Sequence, residues 1–509
     1  MALTESDAKR LRPYVSNLDG DVFALAGLPE EVIAVLFAYY SRSKDDLRTN
    51  LARLLADQEI ELGEGGAAPV LKLATEKAKA FHEKWVVGYG HASVAEHAVV
   101  HLAIENVSIV TSKIIEDLRL ASYTEKSTRY VMWEENSFHP LPDIEGRLGQ
   151  LYRDTCRGLF RTYLDLVPRV EAEMKKRHPR AETQTEGAYN AQMKAKTFDL
   201  LRGLLPAGTK TNLGFTANAR AIEMLLSKML SSPLKEARDV AAAMHKESAH
   251  VAPTLVKYVA PSPYRAALRE AVPRIAEAAG LSGTDEGEST EEYGQAVRLL
   301  RYDSDALQRV VHALCYDGSD ALWNASGLSS SIGRATSAKL EQLLKAVMEP
   351  RGKFDPAPRA FETAGIAFEV TTDFGAYRDL QRHRMLSPYP QRLGCWLGAE
   401  IPEELDDMPG IGEEFRKALE IAEAAWHEMA PSLPYEAQYV VPLAYRLRTI
   451  WQMNLRELFH LVELRSAREG HPSYRKVAQQ MYRQSVKALP WLRDLIRVDL
   501  NDYALTRKG

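Results

Sequence analysis

LLPAGTKTNLGFTANARAIEMLLSKML, from Leu204 to Leu230, aligns without a gap on VVPLAYRLRTIWQMNLRELFHLVELRS, from Val440 to Ser466. Pro206 falls on Pro442, Asn218 on Asn454 and Arg220 on Arg456. Upstream, LAIENVSIVTSKIIEDLRLAS (Leu102 to Ser122) parallels FEVTTDFGAYRDLQRHRMLS (Phe368 to Ser387). There Arg119 lies opposite Arg384 and Ser122 opposite Ser387. Two helical segments can match by chance. Two pairs kept in the same order point to a tandem duplication of one domain. ARAIEMLLSKML and SAKLEQLLKAVM place apolar residues at spacings of three and four, a helical period. HAVVHLAIENVS instead alternates, with Ala98, Val100, Leu102 and Ile104 on one side of an extended chain, and GIAFEVTTDF is similarly β-rich. The expected fold is therefore α+β, mostly helical. Residues 1–279 form the first domain and 296–509 the second. GLSGTDEGESTEEYGQ, residues 280–295, is a linker rich in Gly, Ser, Thr and acids.

A chain of 509 residues has room for two domains. Its formal net charge of −4 gives no global attraction to nucleic acid or acidic lipid. Cys156, Cys315 and Cys395 are far apart, which suits a reducing cytoplasm better than a disulfide framework or a zinc site. The opening MALTESDAKRLRPYV lacks an apolar signal core, and no apolar run is long enough to span a bilayer. The expectation is a soluble cytoplasmic protein with neither a nucleic-acid nor a membrane partner.

Against that neutral background, QRHRMLSPYPQRLG groups Arg382, His383, Arg384 and Arg392. A solvated charge run is the ordinary explanation. The neighbouring motifs argue otherwise. GHASVAEH (Gly90 to His97) followed by LRLASYTEKSTRY (Leu118 to Tyr130) resembles the flavin-dependent thymidylate synthase family. The signature of that family is Arg-His-Arg, two residues, Ser, any residue, Asn-Glu, any residue, Ser, any residue, Arg. The first half keeps Ser122, Glu125, Ser127 and Arg129 but has Asp117-Leu118-Arg119 and Thr124 at the other positions. The second half keeps Arg382-His383-Arg384 and Ser387, then departs. A further family motif, Asn-x-Arg-x-Leu-x-His followed by Leu-Arg, is nearly intact in MNLRELFHLVELR, as Asn454, Arg456, His460 and Arg465. The first half has Met224 and Met229 where that His and the last Arg would stand. It retains Arg202 where the second half has Gln438.

The resemblance implies two tandem flavin-dependent thymidylate synthase-like domains, each with a small sheet, packed as a pseudo-dimer. Two chains would then form a pseudo-tetramer, since family sites lie between subunits. Each half has lost what the other keeps, which implies one composite site. The second half would hold FAD through Arg382, His383, Arg384, Asn454, Arg456 and His460, with Ser93 and Glu125 as further contacts from the first half. Arginine and protonated histidine would stabilise the anionic flavin and its diphosphate. The first half would hold a nucleotide monophosphate through Ser122, Glu125, Ser127, Arg129 and Arg202. Arg465 would meet the uracil edge and activate C5 electrostatically. Methylenetetrahydrofolate and NADPH are the implied cosubstrates and dUMP the implied acceptor.

No convincing nucleophile is present; Cys395 reads as a buried, inert thiol. His91, Glu96 and His97 lack the spacing of a metal site. His245 and His250 read as surface or core residues, and Trp85, Trp133 and Trp451 as packing. Asp379 stands where the family often has glutamine. The competing reading is a non-catalytic paralogue that binds flavin or nucleotide, with a regulatory or interaction role.

Overall fold

The computed structural model describes residues 4–40, 43–56, 92–281, 296–318 and 322–505. His91, Trp85 and nearly all of the expected linker lie outside the described residues. The chain forms two compact units. One comprises Met1–Val107, Ile114–Lys126 and Thr211–Ser282; the other comprises Ser108–Lys113, Ser127–Lys210 and Gly283–Gly509. Repetition in sequence and compactness in space thus divide the chain differently. Residues 127–210 belong to the first half by sequence but pack with the second.

The first unit is built on a three-stranded sheet of β1 (Val99–Ser108), β2 (Ala121–Glu125) and β3 (Lys210–Asn218), in the order β1-β3-β2. The alternation expected before Ile104 is present: Val100 and Ile104 are buried, and His101 and Ala103 are exposed. It slips at Asn106, whose φ of 58° lies in the left-handed region that Asn tolerates better than most residues. Val107 and Ser108 are then both buried. The apolar faces of the sheet and of the Ala219–Leu230 helix meet in one core, with Phe215, Ile222, Leu225 and Met229 almost wholly enclosed.

The second unit holds β4 (Val297–Tyr302), β5 (Gly365–Asp373), β6 (Ser387–Pro390) and β7 (Arg446–Asn454) in an antiparallel sheet ordered β4-β5-β7-β6. Apart from the added β4, this order repeats that of the first sheet. The register repeats too. Ser122 pairs with Thr216 in one sheet and Ser387 with Gln452 in the other, as the two aligned blocks require. The helix after each long strand also starts alike. Asn218 and Asn454 are N-caps whose side chains accept from Ala221 N and Glu457 N. The first amide of each helix donates 2.9 Å to an equivalent carbonyl, Ala219 to Ala98 and Leu455 to Ala364.

Within the second unit, the stretches around Pro206 and Pro442 form an antiparallel bridge with reciprocal backbone bonds. Ala207 N donates to Val441 O at 2.8 Å, and Leu443 N to Leu205 O at 2.9 Å. Gly208 N donates to Tyr439 O at 2.7 Å, and Ala444 N to Gly203 O at 3.0 Å. Each bond is the image of its mate under the alignment, the mark of an isologous, twofold contact. The halves therefore meet as a pseudo-dimer here. A Cβ on Gly208 would fall 2.6 Å from Tyr152 Oη and 2.9 Å from Tyr439 O, so this approach requires glycine. The helices Gly146–Arg177 and Ile411–Met429 pack together in the same unit. Arg169 makes two bonds to Glu414, at 2.7 and 2.9 Å, and Arg147 pairs with Glu428. No helix among the described residues is long and apolar enough to cross a membrane.

Candidate active site

Arg129 follows β2 on a short loop, and Ser127 Oγ accepts from its amide at 3.2 Å. Its guanidinium makes a bidentate pair with Asp199, Nε to Oδ1 at 2.5 Å and Nη2 to Oδ2 at 2.7 Å. Asp199 sits near the end of the Glu186–Leu201 helix, one turn before Arg202. That short spacing presents a carboxylate and a cation from one helix end. Burial opposes the charge on Arg129, but Asp199 more than compensates and keeps the guanidinium firmly charged. Arg202 Nη1 lies 3.5 Å from Asp379 Oδ2, and its side chain is 5% exposed.

Asp379 is carried by the Phe374–Leu380 helix, just ahead of the Arg-His-Arg segment. Burial would raise its pKa; the cations Arg202, Arg382, Arg465 and Arg378 override this and lower it. Arg129 and Arg202, from the first half of the sequence, thus converge on Asp379, Arg382 and Arg465 from the second. His471 links the groups. Its Nε2 is 3.5 Å from Asp199 O, and its Nδ1 accepts from Ser473 N as the cap of the Pro472–Ala488 helix. Burial, with Arg202 and Arg129 nearby, holds it far below the usual histidine range. Tyr474 is on the same helix, its ring centroid 5.4 Å from the Arg465 guanidinium carbon. A cavity of about 800 Å³ borders the cluster, lined by Asp199, Arg202, Asp373, Glu400, His471 and Arg475 among others. Burial, then Glu400, raises Asp373 in its wall to about 6.

The Arg-His-Arg segment is not a uniform charge run. Arg382 and Arg384 are exposed and His383 is buried between them. His383 Nδ1 lies 2.8 Å from Glu457 Oε1, and its Nε2 accepts from Arg465 Nε at 2.9 Å. Burial, then Arg465, lowers its pKa to about 3. The expected protonated histidine at 383 is therefore corrected: burial and the adjacent guanidinium make it neutral. Burial also lowers His460, 5.0 Å away between ring centroids, so the same correction applies to its direction. Burial raises Glu457 to about 6.

The remaining sequence candidates divide. Asn454 caps its helix, and Arg456 bonds to Ala357 O at 2.9 Å and Glu362 Oε1 at 2.7 Å. The first half has the same arrangement in Asn218 and the Arg220–Glu96 pair, so the Asn-x-Arg motif has a structural task in both copies. Ser93 is exposed on the short helix Ala92–His97, Ser122 is exposed on β2, and Glu125 ends β2; all three belong to the other compact unit. Cys395 is buried, and burial raises its thiol. Asp199, Glu457, His471 and Tyr474 escaped the sequence reading. For Asp199 the available signal was its position one turn before Arg202; for Glu457 it was a carboxylate among buried apolar helix positions.

A family model described as thymidylate synthase complementing protein matches residues 36–254 and again 298–491. This chain belongs to the thymidylate synthase complementing protein family. The double match accords with the repeated sheets, caps and reciprocal bonds. A UPF0159 protein of Chlamydia muridarum is 35% identical, over 99% of this chain and 97% of its own length. UPF0159 protein Ta1429 of Thermoplasma acidophilum is 29% identical, over 85% and 91%. A flavin-dependent thymidylate synthase of Sulfurisphaera tokodaii is 28% identical, over 35% of this chain and 63% of its own. The chain is thus similar over nearly its whole length to the Chlamydia protein, over most of it to the Thermoplasma protein, and over about a third of it to a flavin-dependent synthase.

Proposed function

We propose that this member of the family is an FAD-dependent enzyme that reductively methylates dUMP or a related uracil nucleotide, with methylenetetrahydrofolate and NADPH as cosubstrates. The observation that carries this reading is the convergence of Arg129 and Arg202 with Asp379 and Arg465 in one unit. Sequence halves that had each lost part of the motif supply complementary parts of one cluster. The flavin side fits an anionic cofactor, since Arg382 and Arg384 are exposed cations flanking a buried histidine. When bound, flavin would supply the hydride, while the protein supplies orientation and electrostatics. Arg382 and Arg384 would stabilise its negative charge, and Arg129 and Arg202 would face the nucleotide phosphate. Arg465 would hold the uracil edge and favour anionic character at C5.

The competing reading is binding without turnover. It is favoured by the pairing of Arg129 with Asp199 and of Arg456 with Glu362, which neutralises cations assigned to ligands. Incubation with dUMP, methylenetetrahydrofolate, FAD and NADPH, read by mass spectrometry for thymidylate, tests the choice. Thymidylate supports the enzyme. A yellow protein whose flavin spectrum responds to dUMP, without product, supports the binding protein. We further propose a cytoplasmic homodimer with the pseudo-tetrameric arrangement; a persistent monomer in sedimentation would count against it.

A further inference from the structure

Glu457 and His383, both buried, and the half-buried Arg465 form a continuous relay. Arginine Nε carries a hydrogen and has no lone pair with which to accept. The 2.9 Å contact from Arg465 Nε therefore makes His383 Nε2 the acceptor. The hydrogen of the neutral ring is then on Nδ1, directed at Glu457 Oε1 2.8 Å away. Among the described residues this is the only side-chain hydrogen bond of Arg465. It leaves the two Nη nitrogens for other partners, with Tyr474 beside the guanidinium.

The internal repeat supplies a control. The aligned first-half positions are Leu118 for His383, Ala221 for Glu457 and Met229 for Arg465, all buried. All three polar members are replaced together by apolar residues, and that unit retains the same sheet order, register and cap. The fold does not need the relay. A buried polar network is costly unless fully satisfied, and apolar replacement is commonly neutral or better. Its presence in the second half calls for a task other than stability.

We propose that His383 is a positioning residue that binds no ligand itself, but fixes the rotation of the Arg465 guanidinium so that its Nη edge faces the nucleotide. This rests on the reading above that Arg465 meets the uracil. Glu457 fixes the tautomer of His383, as the outer partner of a ligating histidine does.

The test uses the full chain labelled with ¹⁵N. Without ligand, His383 should be the neutral Nδ1–H tautomer from about pH 5.5 to 8, its signal assigned by loss in His383→Gln. The Arg465 Nε–H should exchange slowly. In His383→Phe that exchange should quicken about tenfold or more. His383→Gln, whose side-chain oxygen can still accept from Nε, should restore it. An imidazolium, the Nε2–H tautomer, or unchanged Nε–H exchange in His383→Phe overturns the proposal. Should the Phe variant not fold, loss of Nε–H protection in the Gln variant does so. With ligands, His383→Phe should keep its flavin absorbance and lose roughly tenfold or more in turnover, with partial rescue in His383→Gln. Loss of flavin with nucleotide binding intact would make His383 a flavin contact and overturn the proposal. A wild type that fails to bind dUMP would sink the proposed function while the exchange measurements still decide the positioning role.

Discussion

Arg129→Met should do more than weaken a nucleotide. The Arg129 and Asp199 side chains are 12% and 7% exposed and share two bonds, at 2.5 and 2.7 Å. Removing the guanidinium leaves a carboxylate buried without its cation. Breaking a buried pair from one side typically costs about 3–5 kcal/mol. Replacing both partners with apolar residues is often nearly neutral, so Arg129→Met/Asp199→Leu should recover most of that loss. Urea unfolding of wild type, both single variants and the double variant closes the cycle, with several probes to check for intermediates between the two units. The coupling should exceed about 1 kcal/mol, the upper end for an exposed pair. If Arg129→Met costs less than that and changes only nucleotide binding, the pair adds no stability. The guanidinium would then be a phosphate ligand alone.

Arg382→Ala should lower flavin affinity about ten- to a hundredfold by absorbance, on the scale of one charge-assisted hydrogen bond. Asp117→Ala, at the aligned position where Asp117 pairs instead with Lys228, should leave flavin bound. Arg465→Ala should reduce kcat more than nucleotide affinity, measured by steady-state kinetics and calorimetry, because its proposed work is on charge that grows as C5 is activated. Asn454→Ala and Asn218→Ala should each cost about 1 kcal/mol in urea unfolding, the usual value of an N-cap; ligand loss without destabilisation would make Asn454 a contact rather than a cap. As pH falls through the ordinary histidine range, the unfolded chain binds a proton that folded His383, with its pKa of about 3, refuses, so stability falls. Glu457, raised to about 6, has the opposite sign, gaining a proton in the folded state as pH falls. Glu457→Gln removes this offset and should steepen the loss between pH 7 and 5.5 by roughly 1 kcal/mol. Equal slopes in wild type and variant would refute it.

Much of the site was legible because its cations stand in motifs. Arg129, Arg202, Arg382 and Arg465 could be named from their resemblance to family motifs, and the structure brings them toward Asp379. Their counterions could not be named so readily. Asp199 and Glu457 are ordinary helix residues in sequence, and each acquires its partner from a distant segment. The Asn-x-Arg motif carries a structural task as well. In both halves it caps a helix and pairs with a glutamate, Glu96 or Glu362, so its recurrence reflects a shared local fold.

The sequence by itself determined the duplication. Constant offsets from Pro206 to Pro442 and from Ser122 to Ser387 survive as strand register, helix caps and reciprocal backbone bonds, because local periodicity and turn chemistry act over a few residues. Only tertiary structure decided that residues 127–210 pack with the second half, and that His383 is neutral between Glu457 and Arg465. Compactness depends on which apolar faces meet across long separations. Protonation depends on burial and on charges within a few ångströms, which no spacing along the chain encodes.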